Sequence, residues 1–168
     1  MKLHEVAKQL DPHAEIRQWL DDYRILNYTI RPDGVVDVDD RVDLRHFNET
    51  ILPIQFGTVT GRFDCSHSTL ASIKGMPQFI GLGTNLTFSD IKSFSGIDKI
   101  IKQINGAVNC DPDVTHILGL LLIKGITSFH IDTGGPIDKI MNRYVGTGDI
   151  LSAQDELIDA GFIDQARL

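Results

Sequence analysis

Apolar residues near the start of the chain recur every three to four positions. Four residues share this spacing: Ile16, Trp19, Leu20 and Tyr23. Residues with this period lie on one face of a helix, so the pattern predicts an amphipathic helix. The pair Asp11-Pro12 suits its start, with the aspartate as N-cap and the proline in the first turn, where its missing N–H costs nothing. The first element is therefore expected to be a helix with one buried face.

The pattern then changes to an alternation of apolar and polar residues. Residues 26–30 and 35–39 alternate on either side of the segment Arg31-Pro32-Asp33-Gly34. Proline fixes φ and glycine accepts a positive φ, so this segment is suited to a tight turn. The pattern predicts a β-hairpin over residues 26–39.

Between residues 42 and 97, apolar and glycine positions recur with a step of 21 residues. Four sets keep this step: Leu44, Cys65 and Leu86; Leu52, Ile73 and Phe94; Leu70 and Ile91; Gly75 and Gly96. A short strand in each copy would place one apolar side chain inward, and a single copy could not bury its apolar residues alone. Copies stacked in register would share one core. The alternative is a chance periodicity in a generic α/β domain.

A displaced fourth copy is predicted in the segment LLIKGITSFHID. Its Leu121, Ile126 and Phe129 reproduce the apolar spacing of the second copy. On this interpretation, residues 106–117 form an insertion between the third and fourth copies.

Helical periodicity returns near the C-terminus. Gly134-Gly135-Pro136 breaks the chain and begins a helix, whose apolar face is predicted to contain Ile137, Ile140, Met141 and Tyr144. A last helix is predicted to have Asp149 as its N-cap and to end at Gly161 as the C′ residue. Its apolar lining is predicted to contain Leu151, Leu157 and Ile158.

These patterns together predict an α+β fold in a single domain, residues 1–168. Residues 1–41 would form a helix-and-hairpin cap, residues 42–131 the degenerate repeats, and residues 132–168 a helical cap. No linker or low-complexity stretch divides the chain. The expected architecture is a short stacked-strand sheet with a cap at each end.

Composition narrows the classes of function. The chain has 16 Lys+Arg and 23 Asp+Glu, a net charge of −7, which argues against nucleic acid as a partner because clustered Lys and Arg supply most of that affinity. Its longest apolar run is far short of the roughly 20 residues that span a bilayer, and its start lacks a secretory apolar region. The two cysteines form neither a disulfide framework nor a zinc-ligand spacing. We expect a cytoplasmic protein without a membrane partner.

The chain offers few groups with candidate chemistry. Cys65 with His67 could form a nucleophile–base pair, but Cys65 holds the core position of its repeat, which favours a buried thiol. The acidic segment 37–43 could bind a cation, although its alternation with valines is typical of the solvent face of a half-buried sheet. The glycines at 81–83 and 133–136 are interpreted as turns, since neither segment has the order of a phosphate-binding loop. We therefore predict no catalytic residue, no metal and no cofactor.

The string VTGRFDCSHSTLASIKGMP resembles the degenerate leucine-rich repeat of proteins encoded by tailed bacteriophages. The matching residues are Cys65-Ser66, Leu70, Ser72, Ile73, Gly75 and Pro77. Residues 19–44 and 118–168 are similar to the N-terminal and C-terminal caps of that family. The chain departs from the family where His67-Ser68 replaces a usual asparagine and where Glu49 takes an apolar position. The resemblance implies a leucine-rich-repeat-like sheet and a partner in the host.

A repeat sheet without a catalytic constellation offers its outward strand residues as a binding face. These residues are predicted to be Asp43, Arg45, Arg62, Asp64, Ser66, Asn85 and Thr87. The first hypothesis is a non-catalytic, phage-encoded module that binds a host protein, with interference in host defence as one role. The alternative is a small enzyme or a nucleotide-sequestering protein that uses segment 37–43 or a cleft at residues 97–117. A nucleic-acid binder would require Lys99, Lys102 and Lys124 to cluster.

Overall fold

The computed structural model describes residues 11–168, and this part of the chain has an α+β fold built on one nine-stranded sheet. Its strands are β1 (Tyr28–Ile30), β2 (Val36–Val38), β3 (Val42–Asp43), β4 (Phe56–Val59), β5 (Phe63–Asp64), β6 (Phe79–Ile80), β7 (Thr84–Asn85), β8 (Gln103–Asn109) and β9 (Lys124–His130). Its helices are α1 (Ala14–Asp22), α2 (Ile97–Ile100), a 3₁₀ helix (Ile117–Leu122), α3 (Pro136–Tyr144) and α4 (Ile150–Asp159). The α+β prediction is confirmed. Residues 1–10 of the predicted domain and N-terminal cap lie outside the described residues.

Helix α1 begins later than predicted. His13 precedes its first residue, and no side chain caps this end of the helix. Asp11 instead accepts a hydrogen bond from the backbone N–H of His13 at 3.0 Å, because residues 12 and 13 form a turn. The prediction of Asp11 as N-cap is therefore wrong. The predicted apolar face is confirmed, since Leu20 is fully buried and Ile16, Trp19 and Tyr23 pack against the core.

The predicted hairpin is confirmed. Strands β1 and β2 pair antiparallel, with Thr29 opposite Asp37. The N–H of Gly34 donates to the carbonyl of Arg31 at 2.9 Å, and Gly34 has a φ of +84°. A residue with a side chain would be strained there, so the glycine closes the turn.

The other strands form two parallel ladders that meet in β8. Ladder A contains β2, β4, β6 and the first half of β8; ladder B contains β3, β5, β7 and the second half of β8; β9 pairs along β8. The register of ladder B joins, in order, Val42, Phe63, Thr84, Val108 and Phe129. Most neighbours in this register are separated by the same step as the sequence repeat.

The residue that follows each of the strands β3, β5, β7, β8 and β9 is buried. These residues are Leu44, Cys65, Leu86, Cys110 and Ile131, none more than 5% exposed. The N–H of Leu44 donates to the carbonyl of Asp64 at 2.7 Å, and the N–H of Cys65 donates to that of Asn85 at 2.9 Å. Residues one repeat apart therefore lie on neighbouring strands and fill one continuous core.

The placement of the fourth copy was wrong. Leu121 lies in the 3₁₀ helix, whereas Phe129 lies in β9 opposite Val108, so Phe129 corresponds to Phe63 of the second copy. Residues 106–117 are not an insertion either, because residues 103–109 form β8, the strand that both ladders share. We call one strand of the register with the turn that follows it a rung. The step from Thr84 to its partner Val108 is longer than the steps between the other rungs, and this extra length displaced the sequence alignment.

Helices α3 and α4 follow the sheet. Asp149 accepts a hydrogen bond from the N–H of Ser152 at 3.1 Å, which confirms it as the N-cap of α4. The predicted lining of α4 is wrong in part, because Leu151 is 70% and Ile158 is 45% exposed. Ala153 and Leu157 form its buried face instead.

Side chains of helix α3 form hydrogen bonds with backbone groups along the outer edge of β9. The amide of Asn142 accepts a hydrogen bond from the N–H of Phe129 at 2.7 Å and donates one to its carbonyl at 2.9 Å. Asp138, which is buried, accepts a hydrogen bond from the N–H of Ile131. Exposed strand edges invite pairing with other chains, and these contacts leave that edge occupied at both residues.

Candidate functional site

Three polar residues occupy equivalent positions at the ends of β3, β5 and β7. We call Asp43, Asp64 and Asn85 the polar row; the register aligns them. Each side chain accepts a hydrogen bond from the backbone N–H two residues later, at 3.2, 3.0 and 3.2 Å respectively. Asp and Asn commonly form such turns, which end a strand and redirect the chain. The polar row therefore has a structural role at the ends of these three strands.

Three of the other predicted binding residues, Arg45, Ser66 and Thr87, donate hydrogen bonds to the polar row. Arg45 forms a bidentate ion pair with Asp43, with its two nitrogens at 2.9 and 2.6 Å from the carboxylate oxygens. The hydrogen bond from Arg45 holds the pKa of Asp43 below its ordinary value. The hydroxyl of Thr87 donates to Asn85 at 2.9 Å. The fourth, Arg62, is exposed and forms no ion pair within residues 11–168.

One of the seven predicted binding residues is not on the surface. Ser66 is only 3% exposed, and its hydroxyl donates to Asp64 at 2.7 Å. The chain turns directly after β5, so strict alternation of outward and inward side chains does not extend beyond Asp64. The prediction that Ser66 points outward is wrong.

A second row of residues stands beside the polar row and is more exposed. We call His46, His67 and Phe88 the ring row, because each carries a ring and follows the same strand end one repeat later. The rings of His67 and Phe88 stack, with centroids 4.9 Å apart and an interplanar angle of 15°. Phe88 is 68% exposed.

Two of the three ring-row residues adopt a backbone conformation that side chains disfavour. His67 has a φ of +59° and Phe88 a φ of +57°. The left-handed region costs a residue with a side chain about 1–2 kcal/mol, and a bulky residue there is an outlier. Hydrogen bonds fix both positions: the N–H of His67 donates to the carbonyl of Thr87 at 3.0 Å, and that of Phe88 to Asp111 Oδ2 at 2.6 Å. The fold thus presents an exposed ring on a rigid, strained backbone.

The ring row was not among the predicted site residues. Its signal in the sequence is the recurrence of ring-bearing residues at the 21-residue step. The predicted repeat uses that step only at apolar core and glycine positions, and Phe88 lies two residues after the core residue Leu86.

The groups with candidate chemistry are engaged or buried. Both thiols are fully or almost fully buried, and burial raises the pKa of Cys65 and of Cys110, so the nucleophile–base interpretation gains no support. In segment 37–43, Asp37 pairs with Arg31 at 2.7 Å and Asp39 accepts the hydroxyl of Thr60 at 3.0 Å. Within residues 11–168, no group of three or more His, Cys, Asp or Glu side chains is placed to hold a metal ion.

Two of the three lysines in the nucleic-acid hypothesis, Lys102 and Lys124, lie next to each other. The N–H of Lys124 donates to the carbonyl of Lys102 at 3.3 Å. The ammonium of Lys102 is bonded to the carbonyl of Asp98 at 2.9 Å. Exposed Phe79 and Leu122 line the same shallow depression.

A larger groove lies between the last strands and α3. Its volume is about 960 Å³, and its lining includes Phe88, Asp111, His130 and Lys139. We call it the α3 groove. It begins at one end of the ring row, and residues 109–112 of the 97–117 segment line it.

Comparisons with known proteins leave the chain without an assigned family. No protein-family model matches it, and no significant match appears among curated proteins or solved structures. Among residues 11–168, no helix has the length and apolar character needed to cross a membrane.

Proposed function

We propose that the chain is a non-catalytic protein-binding module whose contact surface is the ring row. The observation that carries this proposal is Phe88, a ring 68% exposed and held at a φ of +57°. Strained backbone is kept where the fold over-determines it, and it concentrates at sites of function. Aromatic and arginine side chains are also the residue types that dominate the energy of protein interfaces.

We further propose that the chain is a phage protein with a leucine-rich-repeat-like architecture and that its partner is a host protein, as in a counter-defence role. Support for the architecture comes from the parallel ladders with the 21-residue register, together with α1 and the hairpin at one end and α3 at the other. Support for the phage origin and the host partner comes from the resemblance of the repeat sequence alone.

The test is affinity capture from a bacterial lysate with the tagged full chain as bait. We expect one protein to be retained, to be displaced by untagged wild type, and to be lost with Phe88→Ala. Phe79→Ala is the matched control, since Phe79 is also an exposed phenylalanine (41%) but lies on ladder A. Retention that is unchanged by Phe88→Ala, or equally reduced by Phe79→Ala, would contradict the proposal.

A further inference from the structure

The α3 groove adjoins the ring row at Phe88, and its position defines which face of that ring is available. His67, on the preceding rung, covers one face of the Phe88 ring. The next rung, which carries Asp111 and Pro112, lies on the opposite side and lines the groove together with Phe88. The uncovered face of Phe88 therefore borders the groove.

The charge of the groove is predominantly negative. Three carboxylates line it, those of Asp111, Asp132 and Asp138, against the single ammonium of Lys139. Asp132 and Asp138 accept hydrogen bonds from backbone N–H groups near the start of α3. Those bonds and the start of the helix offset part of the two charges, but within residues 11–168 neither carboxylate has an ion pair.

Asp111 is the carboxylate closest to the ring. Its Oδ2 accepts the hydrogen bond from the N–H of Phe88 at 2.6 Å, and its other oxygen has no hydrogen-bond partner in the described part of the chain. A planar cation placed on the uncovered face of Phe88 would thus meet a π-face and a carboxylate together. Guanidinium groups are suited to this combination, because they are planar, stack on rings and bond carboxylates with a fork of N–H donors.

Resting on the proposed function, we infer that the α3 groove accepts an arginine side chain presented by the partner protein. The guanidinium stacks on Phe88 and donates to Asp111, and the remaining length of the groove takes the residues around that arginine. A basic contact also fits the net charge of −7 on the chain, since complementary charge accelerates encounter and selects partners.

The test uses acetyl-Gly-Arg-Gly-amide as the probe and its citrulline counterpart, which keeps the shape and loses the charge, as the control. In a titration of the ¹⁵N-labelled full chain, we expect the arginine peptide to shift the amide resonances of Phe88 and residues 109–112. The citrulline peptide should bind more weakly than the arginine peptide, by a factor of about five or more. Phe88→Leu and Asp111→Asn should each weaken the arginine peptide several-fold, and Phe79→Leu should not; asparagine at 111 keeps the acceptor for Phe88 N–H, so the turn survives.

Equal binding of the two peptides, or shifts confined to other surfaces, would overturn the inference. Its failure is distinguishable from failure of the proposed function. If capture depends on Phe88 but is indifferent to Asp111→Asn and to the arginine peptide, the surface is a protein interface of another chemistry. If the peptide binds at Phe88 while capture is unchanged by Phe88→Ala, the α3 groove binds arginine but the proposed protein-binding function is wrong.

Discussion

The polar row and the ring row lie on the same rungs, only three residues apart along the chain. They differ in burial, in side-chain hydrogen bonding and in backbone conformation. Asp43, Asp64 and Asn85 are partly buried and each closes a turn through its own side chain. His67 and Phe88 are exposed and adopt a disfavoured backbone conformation. The comparison indicates that the polar row maintains the fold, whereas His67 and Phe88 keep exposed side chains on a backbone conformation that costs stability.

Beneath both rows, Phe63 should carry the largest energetic contribution. It is completely buried and packs edge-on against Phe56, with ring centroids 5.6 Å apart. Phe63→Ala is expected to lower the free energy of unfolding by about 3–5 kcal/mol, measured by urea denaturation. Phe88→Ala, which removes an exposed ring, is the control and should change stability by much less. Equal losses in the two variants would break the distinction between core and surface on these rungs.

Within the polar row, Asp64→Ala should have the next largest effect. It removes the acceptor for both the N–H and the hydroxyl of buried Ser66, and an unsatisfied buried group costs about 1–3 kcal/mol. Asp64→Asn should recover most of the loss, because asparagine performs the same turn at position 85. Urea denaturation of both variants checks this. If asparagine is no better than alanine, the turn is not what the polar row contributes.

The smallest effect is expected in the pH dependence of stability at Asp43. Its pKa is lowered by the hydrogen bond from Arg45, so the folded state binds a proton less readily than the unfolded state does. The resulting stabilisation is present above the unfolded-state pKa, about 3.9, and is lost as the pH falls through the lower folded-state value. Arg45→Gln should therefore flatten the dependence of the unfolding free energy on pH below about 4. An unchanged profile would mean that the exposed ion pair contributes nothing to the first rung.

Much of this architecture could be predicted from the sequence, because residues that are buried at regular intervals appear as regularly spaced apolar residues. The helix α1, the hairpin and the step that joins Leu44, Cys65 and Leu86 were all visible as apolar spacing. The longer step from Thr84 to Val108 was not, since nothing in a single sequence distinguishes a longer turn from an insertion.

The candidate site was less predictable than the fold. A positive φ at Phe88 contradicts the residue's own preference and is imposed by the surrounding hydrogen bonds, so local propensity could not reveal it. Strand alternation likewise placed Ser66 outward, although the turn closed by Asp64 buries it. Both errors arise where tertiary contacts override the local pattern.

Phe88→Asn tests the central claim most directly, because asparagine tolerates the left-handed region that phenylalanine disfavours. The account predicts that this one variant keeps or gains stability, by up to about 1 kcal/mol, while it loses the captured partner. Urea denaturation and competitive capture on the same preparation give both numbers. A variant that is clearly destabilised, or that retains its partner, would contradict the claim that Phe88 is held in strain for binding.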